Sequence, residues 1–234
     1  MQIAGATAFV TGANRGLGRH LAEQLLARGA TVYAGARNPE SVDLPGAIPV
    51  RIDVTDEASV AAAAREAQGV TLLVNNAGSY TRADFLDGPL SEIRLEMETH
   101  YFGTLAVTRA FAAQLAAAPV ESGVLNVLSV LSWVTRPGYG GYSAAKSAVW
   151  SLTNALRTEL APQGTQVTAL HVSFLDTDMV RHVDAPKLDP ALIAGLALDG
   201  VEAGADEVLA DDITRGVQAG LAKGVAALYP KAAA

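Results

Sequence analysis

The sequence predicts a single-domain α/β protein in which a doubly wound parallel sheet of about seven strands carries helices on both faces. Three observations support this fold class. Strand-like and helix-like segments alternate along the chain, a central strand candidate is apolar apart from Thr71, and the length of 234 residues suits one domain. This alternation implies right-handed crossovers and a ligand site beyond the carboxyl ends of the strands.

The first half of the chain, 1–118, contains four strand candidates. We predict strands at 4–10, 31–36, 48–52 and 70–74, and helices at 17–27, 56–68 and 90–117. Helical spacing places Leu17, Leu21 and Leu25 on one face of the first helix. The apolar run at 70–74 is typical of a strand that is covered on both faces.

The second half, from 119 to about 222, continues the alternation less regularly. We predict strands at 124–128, 166–172 and 207–210, and helices at 143–160, in the alanine-rich segment after 190, and at 213–222. A loop around 176–190 interrupts the pattern, and we expect the alanine-rich tail after Pro230 to be frayed. The whole chain, 1–234, is therefore predicted to form one domain.

The composition excludes several classes of protein. The absence of cysteine excludes a disulfide framework, a thiolate zinc site, an iron–sulfur cluster and a cysteine nucleophile. The formal net charge of −7 disfavours a nucleic-acid surface. No apolar run approaches the roughly 20 residues that a membrane span needs. The N-terminus lacks the basic region of a secretory signal. The histidines lack partners at the spacing of a metal site. We therefore expect a cytoplasmic protein without membrane, nucleic-acid or metal partners.

A glycine-rich segment, TGANRGLG at 11–18, joins the first strand candidate to the first helix. Glycines there permit a tight turn and close backbone approach to a pyrophosphate, which the positive end of the helix attracts. A merely structural turn is the alternative, but the place of this glycine-rich segment at the start of a βαβ unit favours dinucleotide binding. The candidate cofactor residues of this turn are Gly12, Asn14, Arg15, Gly16, Leu17 and Gly18.

The end of the second strand candidate indicates which dinucleotide binds. An acidic residue there would bind the ribose 2′-hydroxyl and repel a 2′-phosphate, but the sequence has Ala36-Arg37. Arg15 is a second guanidinium, and two forked, permanently charged donors suit a phosphate. Either could be an ordinary surface arginine; together they favour NADP(H).

Tyr142 and Lys146 are four residues apart at the start of a helix and therefore project from the same face. A nearby ammonium group stabilises a phenolate, which lowers the pKa of a tyrosine from its usual value near 10. The pair is therefore a candidate for proton transfer.

The spacing of the glycine turn, Asn75-Asn76-Ala77-Gly78, and Tyr142-Ser143-Ala144-Ala145-Lys146 together resemble the short-chain dehydrogenase/reductase family. The resemblance implies a Rossmann fold, hydride transfer between a nicotinamide and a carbonyl or alcohol carbon, and a homodimer or homotetramer formed through the long fourth and fifth helices. It implies that Tyr142 transfers the proton, that Lys146 also holds the nicotinamide ribose, and that Ser129, thirteen residues before the tyrosine, polarises the substrate oxygen. Its implied cofactor contacts beyond the glycine turn are Asp53, Val54, Asn75, Ala77, Gly78, Tyr142, Lys146 and Thr177.

The chain departs from the family pattern at two places. His100 stands where the family has a catalytic asparagine that supports a helix kink and a water connecting the lysine to solvent. The histidine either joins this relay, since its ring titrates near neutral pH, or only fills space. Val172-Ser173 replaces a Pro-Gly pair, whereas Thr177 is retained near the expected nicotinamide carboxamide.

The walls of the substrate pocket are predicted from loops, with the segment 174–190 as a lid. Their mostly apolar or aromatic side chains suit a neutral, partly hydrophobic ketone or aldehyde, although core or subunit-interface positions are the alternative. The predicted wall residues are Tyr80, Trp133, Val134, Tyr139, Phe174 and Met179.

The favoured interpretation is an NADP(H)-dependent carbonyl reductase or alcohol dehydrogenase. Reduction of an imine or an activated C=C bond is the alternative within enzymes, and His100 keeps it open. A protein that senses NADP(H) without turnover is the alternative of another class. Ser129, Tyr142 and Lys146 argue against it, because a sensor has no need of a proton donor.

Overall fold

The computed structural model describes residues 1–229 as a seven-stranded parallel sheet with helices on both faces, which confirms the predicted fold class. The strand order is β3-β2-β1-β4-β5-β6-β7. The strands are β1 (Thr7–Thr11), β2 (Thr31–Ala36), β3 (Ile48–Arg51), β4 (Leu72–Asn75), β5 (Ser122–Val127), β6 (Thr165–His171) and β7 (Glu207–Leu209). The predicted fraying after Pro230 lies outside the described residues.

The helices cover both faces of this sheet. They are α1 (Gly16–Ala27), α2 (Glu57–Glu66), α3 (Leu90–Met97), α4 (Gly103–Ala116), α5 (Gly140–Leu160), α6 (Pro190–Glu202), α7 (Asp212–Leu221) and α8 (Val225–Leu228). Within residues 1–229, none combines the length and the apolar character needed to cross a membrane.

Every strand and helix predicted from the sequence is present, most of them with bounds that differ by one to three residues, and three differences have identifiable local reasons. β1 begins at Thr7 rather than at residue 4 because a turn with Gly5 at φ 81° precedes it. The helix predicted at 90–117 is interrupted by a π-helical turn, Glu98–Phe102. α5 begins at Gly140, so Tyr142 lies inside its first turn.

Two apolar cores form because alternate residues of each strand face opposite sides of the sheet. Ala8 and Val10 of β1 belong to the core beneath α1 and α6, whereas Phe9 belongs to the core beneath α2 and α4. Phe9 contacts Phe111 of α4 with ring centroids 4.7 Å apart. The central strands are buried on both faces and therefore hold their carboxyl ends in fixed positions.

A buried polar network joins the centre of the sheet to the helices behind the site. Asn75 Nδ2 donates to Thr108 Oγ1 at 3.1 Å and to Asn126 Oδ1 at 2.9 Å. Asn126 Nδ2 in turn donates to Thr153 Oγ1 at 2.9 Å. Because buried amides need partners, this network fixes β4 and β5 relative to α4 and α5.

Candidate active site

A cavity of about 630 Å³ lies beyond the carboxyl ends of the strands. It brings together most of the residues that the sequence singled out. Those lining it are Gly12, Asn14, Arg15, Gly16, Leu17, Gly18, Arg37, Asp53, Val54, Ala77, Gly78, His100, Ser129, Tyr142, Lys146, Thr177 and Met179.

Two neighbouring turns form one end of the cavity and are locked together by hydrogen bonds. Thr11 Oγ1 accepts from the backbone N–H groups of Asn76 at 2.9 Å and Ala77 at 3.0 Å. Asn76 Nδ2 donates to the carbonyl oxygens of Thr11 at 2.9 Å and Gly12 at 3.2 Å. A Cβ on Gly18 would lie 2.2 Å from the Gly12 carbonyl oxygen, so the approach of these turns requires glycine there.

The N-terminus of α1 opens into this end of the cavity. No side chain caps it, since Arg15 at the N-cap makes no capping hydrogen bond. Gly16, Leu17 and Gly18, the first three residues of the helix, line the cavity. Free backbone N–H groups at a helix N-terminus fit the pyrophosphate of a dinucleotide.

The end of the cavity beside β2 carries two arginines. Arg15 and Arg37 both line it and are exposed, and the residue directly after β2 is Arg37 rather than a carboxylate. Asn38 and Ser41, which the sequence did not single out, line the same end, and Asn14 Nδ2 donates to Ser41 Oγ at 3.1 Å. This set of donors fits a phosphate.

Asp53, after β3, is an ionised neighbour of this region. Burial acts to raise the pKa of its carboxyl, but hydrogen bonds from Thr55 and the charges of Arg37 and Arg51 hold that pKa below its usual value. Its Oδ1 accepts from Thr55 N at 3.0 Å and Thr55 Oγ1 at 2.7 Å. The carboxylate is therefore available as a hydrogen-bond acceptor at neutral pH.

Ser129, Tyr142 and Lys146 form the other end of the cavity. Ser129 lies just beyond β5, where its Oγ accepts from Leu131 N at 3.1 Å and lies 3.4 Å from the Val172 carbonyl oxygen. Lys146 Nζ is 5.6 Å from the centre of the Tyr142 ring and donates to the Val127 carbonyl oxygen at 2.8 Å. The start of α5 thus brings a phenol and an ammonium group together beside a buried hydroxyl.

The protonation states at this end follow from burial. Burial, aided by the negative charge of Glu96, raises the pKa of Tyr142 above its usual value, while the Ser129 hydroxyl opposes this shift. Burial lowers the pKa of Lys146 to about 8, although Glu96 opposes that shift. The lowered pKa predicted for Tyr142 from the nearby Lys146 is therefore not found, because burial raises it. Tyr142 holds its proton at neutral pH in the cofactor-free protein, and Lys146 is largely protonated.

His100 occupies the π-helical turn between α3 and α4, which is the place of the expected kink. Its ring is buried and meets the Tyr142 ring edge-on, with centroids 5.1 Å apart. Its Nε2 lies 2.8 Å from the Ser79 carbonyl oxygen and 3.3 Å from Glu96 Oε2. Burial and the nearby Lys146 charge lower the pKa of His100, so the ring is neutral at neutral pH.

Glu96 is a residue of this site that the sequence interpretation missed. It lies one helical turn before His100, and its side chain is 1% exposed. Burial acts to raise the pKa of its carboxyl, but hydrogen bonds from His100, Thr81 and Ser79 hold that pKa below its usual value. The available signal was the Glu96–His100 spacing of four residues on one helix face.

The predicted pocket walls separate into two groups. The Tyr80 ring stacks on the rings of Tyr139 and His182, with centroid distances of 4.9 Å and 5.7 Å. It meets the Tyr142 ring edge-on, with the centroids 5.8 Å apart. Phe174 contacts Tyr139 at 6.3 Å. These rings surround the catalytic candidate without lining the cavity.

Of the remaining predicted residues, Met179 lines the cavity and the others lie away from it. The Trp133 ring stacks on the ring of His171 at the end of β6, with centroids 4.0 Å apart, and it does not line the cavity. Val134 also lies outside the cavity lining. The Asn75 side chain takes part in the buried network and does not line the cavity. Met179 lines the cavity at its rim.

The segment after β6 closes over the cofactor end. Ser173, in the pair Val172-Ser173 that departs from the expected Pro-Gly, donates its backbone N–H to Asp211 Oδ2 at 2.9 Å, which fixes the turn from α7. The Thr177 methyl carbon is 3.3 Å from where a Cβ on Gly16 would lie. Backbone hydrogen bonds between 174–176 and Leu188 close the base of the predicted lid.

Comparison with known proteins places these features in context. The family model described as short chain dehydrogenase matches residues 6–188. The chain is similar to a short chain dehydrogenase from Burkholderia cenocepacia solved in complex with NADP, with 41% identity, coverage of 95% and 94% of the two chains, and a TM-score of 0.91.

Two curated relatives are also similar. Carbonyl reductase (NADPH) 2 of Sus scrofa is 32% identical over 197 residues, which cover 82% of this chain and 80% of the relative. NADPH-dependent 1-acyldihydroxyacetone phosphate reductase of Schizosaccharomyces pombe is 33% identical over 178 residues, covering 72% of this chain. The match spans 60% of that yeast protein's length.

Proposed function

Because this chain belongs to the short-chain dehydrogenase/reductase family, and is thus a nicotinamide-dependent oxidoreductase, we propose that it is an NADP(H)-dependent carbonyl reductase or alcohol dehydrogenase. The proposed substrate is a small, mostly apolar carbonyl compound or the corresponding alcohol. One observation carries the proposal. A single cavity has two arginines and an uncapped helix N-terminus at one end and Ser129, Tyr142 and Lys146 at the other.

The residues fit the cofactor from end to end. The α1 N-terminus would hold the pyrophosphate, Arg15 and Arg37 the 2′-phosphate, and Lys146 the nicotinamide ribose. When bound, the reduced nicotinamide supplies the hydride that reaches the carbonyl carbon. Two relatives whose names include NADPH and a similar structure solved with NADP support the choice of NADP(H) over NAD(H).

In carbonyl reduction, Ser129 and Tyr142 hold the substrate oxygen. As negative charge develops on that oxygen, the Tyr142 O–H bond breaks and its proton moves to the oxygen, giving the alcohol and a phenolate. Lys146 stabilises the phenolate electrostatically because its Nζ lies beside the ring. A proton relayed through Lys146 then restores the phenol, and alcohol oxidation runs through the same steps in reverse.

Apolar side chains at the Tyr142 end support an apolar substrate, although the aromatic rings there surround Tyr142 without lining the cavity itself. Tyr80, Tyr139 and Phe174 form a connected aromatic group beside Tyr142, and Met179 lines the cavity. Apolar walls with a few converging polar groups are typical of sites for neutral small molecules.

We also propose a homodimer or homotetramer formed through the faces of α4 and α5. Leu95 on α3 and Phe102 in the π-helical turn are exposed apolar side chains, and they support an apolar contact that extends to this region. Light scattering coupled to size exclusion measures the mass in solution. A monomeric mass at micromolar concentration would contradict this part of the proposal.

The test of the proposed cofactor is a titration with NADPH and with NADH, followed by nicotinamide fluorescence. We expect NADPH to bind more tightly, and Arg37→Ala to lose most of that preference. Arg65→Ala, which removes an exposed arginine on α2, is the matched control. Equal binding of the two cofactors would show that Arg15 and Arg37 are ordinary surface charges.

Turnover of a panel of ketones and aldehydes with NADPH then tests the reaction. Reduction of imines or activated C=C compounds without carbonyl turnover would replace the proposal with the alternative enzyme class. Tight NADPH binding with no turnover on any panel would support a sensor.

A further inference from the structure

We propose that Glu96 is a positioning residue for Tyr142, because its carboxylate holds in place the two rings, His100 and Tyr80, that pack edge-on against the Tyr142 ring. This inference rests on the proposed function, in which Tyr142 is the proton donor. Glu96 itself lies behind the rings and is assigned no contact with substrate or cofactor.

The carboxylate of Glu96 is buried and fully engaged. Its Oε1 accepts from the Thr81 backbone N–H at 2.5 Å, and its Oε2 accepts from Ser79 Oγ at 3.0 Å. Oε2 also lies 3.3 Å from His100 Nε2. A buried charge is costly unless hydrogen-bonded, so these partners are what allow an ionised carboxylate here.

One arm of this arrangement leads to Tyr80. The two residues that Glu96 binds, Ser79 and Thr81, flank it on the segment after β4. The Tyr80 ring meets the Tyr142 ring at 5.8 Å and 76°, and its hydroxyl donates to the Gly138 carbonyl oxygen at 3.1 Å. Fixing the backbone on both sides of Tyr80 therefore fixes one ring that contacts Tyr142.

The other arm leads to His100. Its Nε2 lies 2.8 Å from the Ser79 carbonyl oxygen and 3.3 Å from both Glu96 Oε2 and the Ser79 backbone nitrogen. Because the nearest of these groups is an acceptor, and a second acceptor is as close as the one donor, a proton on Nε2 is the better fit. The ring held in this orientation meets Tyr142 at 5.1 Å and 88°. Glu96, together with the Ser79 carbonyl oxygen, thus favours this tautomer and holds the orientation of the second ring.

Glu96 also packs directly on the helix that carries Tyr142. Its Cγ is 3.7 Å from where a Cβ on Gly141 would lie, one residue before Tyr142. The negative charge consequently lies near the positive N-terminal end of α5, where it is favoured. Glu96 therefore contacts His100 and the two residues that flank Tyr80, and it lies beside the helix turn that carries Tyr142.

A neutral amide of the same size would not reproduce these contacts. Glutamine has one acceptor oxygen and one NH₂ donor group, whereas the groups facing Glu96 are the donors Thr81 N–H, Ser79 O–H and His100 Nε2–H. Glu96→Gln therefore places donor against donor with little change in volume. The charge and the hydrogen-bonding pattern are tested together, while the packing is preserved.

The electrostatic surroundings of Tyr142 predict a second effect of this change. Five titratable groups face Tyr142. They are Glu96 on α3, His100 in the π-helical turn, Tyr80 in the loop after β4, Tyr139 in the segment before α5, and Lys146 on α5. Glu96 is the carboxylate among them, and its charge raises the pKa of Tyr142. Its removal lowers that pKa, so the pH limb of alcohol oxidation, which needs the phenolate, moves to lower pH.

The experiment compares wild type, Glu96→Gln and the matched control Glu98→Gln, all with NADP(H) bound. Glu98 is an exposed carboxylate two residues along the chain. For Glu96→Gln we expect kcat to fall by about tenfold or more while the KM for NADPH changes little, because displaced catalytic groups slow chemistry rather than cofactor binding. Glu98→Gln should match wild type in kcat, KM and pH limb.

A spectroscopic measurement on Tyr142 does not depend on turnover. Tyrosine labelled with ¹³C at Cζ gives one resonance for each of the six tyrosines, and Tyr142→Phe identifies that of Tyr142. We expect this resonance to shift in Glu96→Gln and to stay in place in Glu98→Gln. Ser79→Ala, which removes one hydrogen bond to the carboxylate, should shift it in the same direction by less, and it serves if Glu96→Gln does not fold.

The outcomes separate this inference from the proposed function. Absence of wild-type turnover would overturn the proposed function, and the Tyr142 resonance would still decide whether Glu96 positions the ring. An unshifted resonance in Glu96→Gln, or an unmoved pH limb with unchanged kcat, would overturn the inference.

Discussion

Arg15 Nη1 lies 3.7 Å from Asp178 Oδ2, so an ion pair joins the glycine-rich turn to the segment that closes over the cofactor end. Both side chains are exposed, at 68% and 54%, which leaves the guanidinium free to exchange partners. Asp178 also pairs with Arg181 on its own segment. A 2′-phosphate at Arg15 would compete with the Asp178 carboxylate.

Asp178→Asn is therefore expected to strengthen NADPH binding. Removing the carboxylate frees Arg15 and removes a charge that repels the phosphate. An exposed pair contributes little, so the gain is about twofold to fivefold. NADPH and NADH titrations should show the gain for NADPH alone. Asp176→Asn, which alters an exposed aspartate two residues earlier, is the control. An equal gain for NADH would contradict a role for the 2′-phosphate.

Tyr142→Phe is expected to abolish turnover while cofactor binding persists. The substitution removes the proton donor without altering the ring that packs on His100 and Tyr80. Loss of a general acid lowers kcat by about 10²–10⁴-fold. Steady-state kinetics and NADPH titration measure the two effects separately, with Tyr33→Phe on β2 as the control. Substantial remaining activity would assign proton transfer to another group.

Lys146 should make the stability of the cofactor-free protein rise with pH. Its folded-state pKa of about 8 lies below the usual 10.5, because burial disfavours the ammonium ion. Between these values the unfolded chain binds a proton that the folded protein has released, so the free energy of unfolding increases with pH. The raised pKa of Tyr142 acts in the opposite direction only above about pH 10.

Urea denaturation from pH 8 to 10 tests this expectation. Wild type should gain stability relative to Lys146→Met across that range. Lys223→Met, at an exposed position, should follow wild type. A constant difference between wild type and Lys146→Met would show that the ammonium ion is not desolvated.

His100→Asn, which installs the residue of the family pattern, is expected to destabilise this chain. The ring is held by Ser79 and Glu96 and packs on Tyr142, and asparagine would leave a buried carboxylate with one partner fewer. The expected loss is about 1–3 kcal/mol of unfolding free energy by urea denaturation. Unchanged stability would mean that the surroundings of Glu96 readily accept asparagine.

Gly18→Ala is expected to disrupt the cofactor end. Its Cβ would lie 2.2 Å from the Gly12 carbonyl oxygen and 2.3 Å from Asn76 Nδ2, both fixed by hydrogen bonds. We expect a lower melting temperature and loss of NADPH binding. Gly216→Ala on α7 is the matched control, because nothing lies within 4 Å of its Cβ. It should gain up to about 1 kcal/mol from helix propensity. Normal NADPH binding by Gly18→Ala would show that the turns tolerate a wider separation.

The fold was predictable because the signals are local and repeated. Apolar runs and helical spacing, alternating along the chain, identified the strands and helices, and in a parallel sheet their order brings the carboxyl ends to one edge. Residues at those ends, from Gly12 to Ser129, were therefore expected together, and they line one cavity. The boundary at β1 and the π-helical turn depend on Gly5 and on packing against α5, which periodicity does not encode.

The pocket walls were harder to predict because loop residues have no periodicity. Trp133 and Tyr139 lie on the same loop, yet one stacks on His171 behind β6 and the other on Tyr80 beside Tyr142. Glu96 looked like an ordinary helix carboxylate. Only the approach of the Ser79–Thr81 segment and α5 buries it.

The sequence by itself therefore determined the fold class, the glycine turn, the arginine pair and the Tyr142–Lys146 spacing, because each is written in residues adjacent in the chain or one helical turn apart. The tertiary structure alone decided the burial of Glu96, the rings around Tyr142 and the Arg15–Asp178 pair. These contacts join segments far apart in sequence, and their energies depend on desolvation and packing that arise only when the chain is folded.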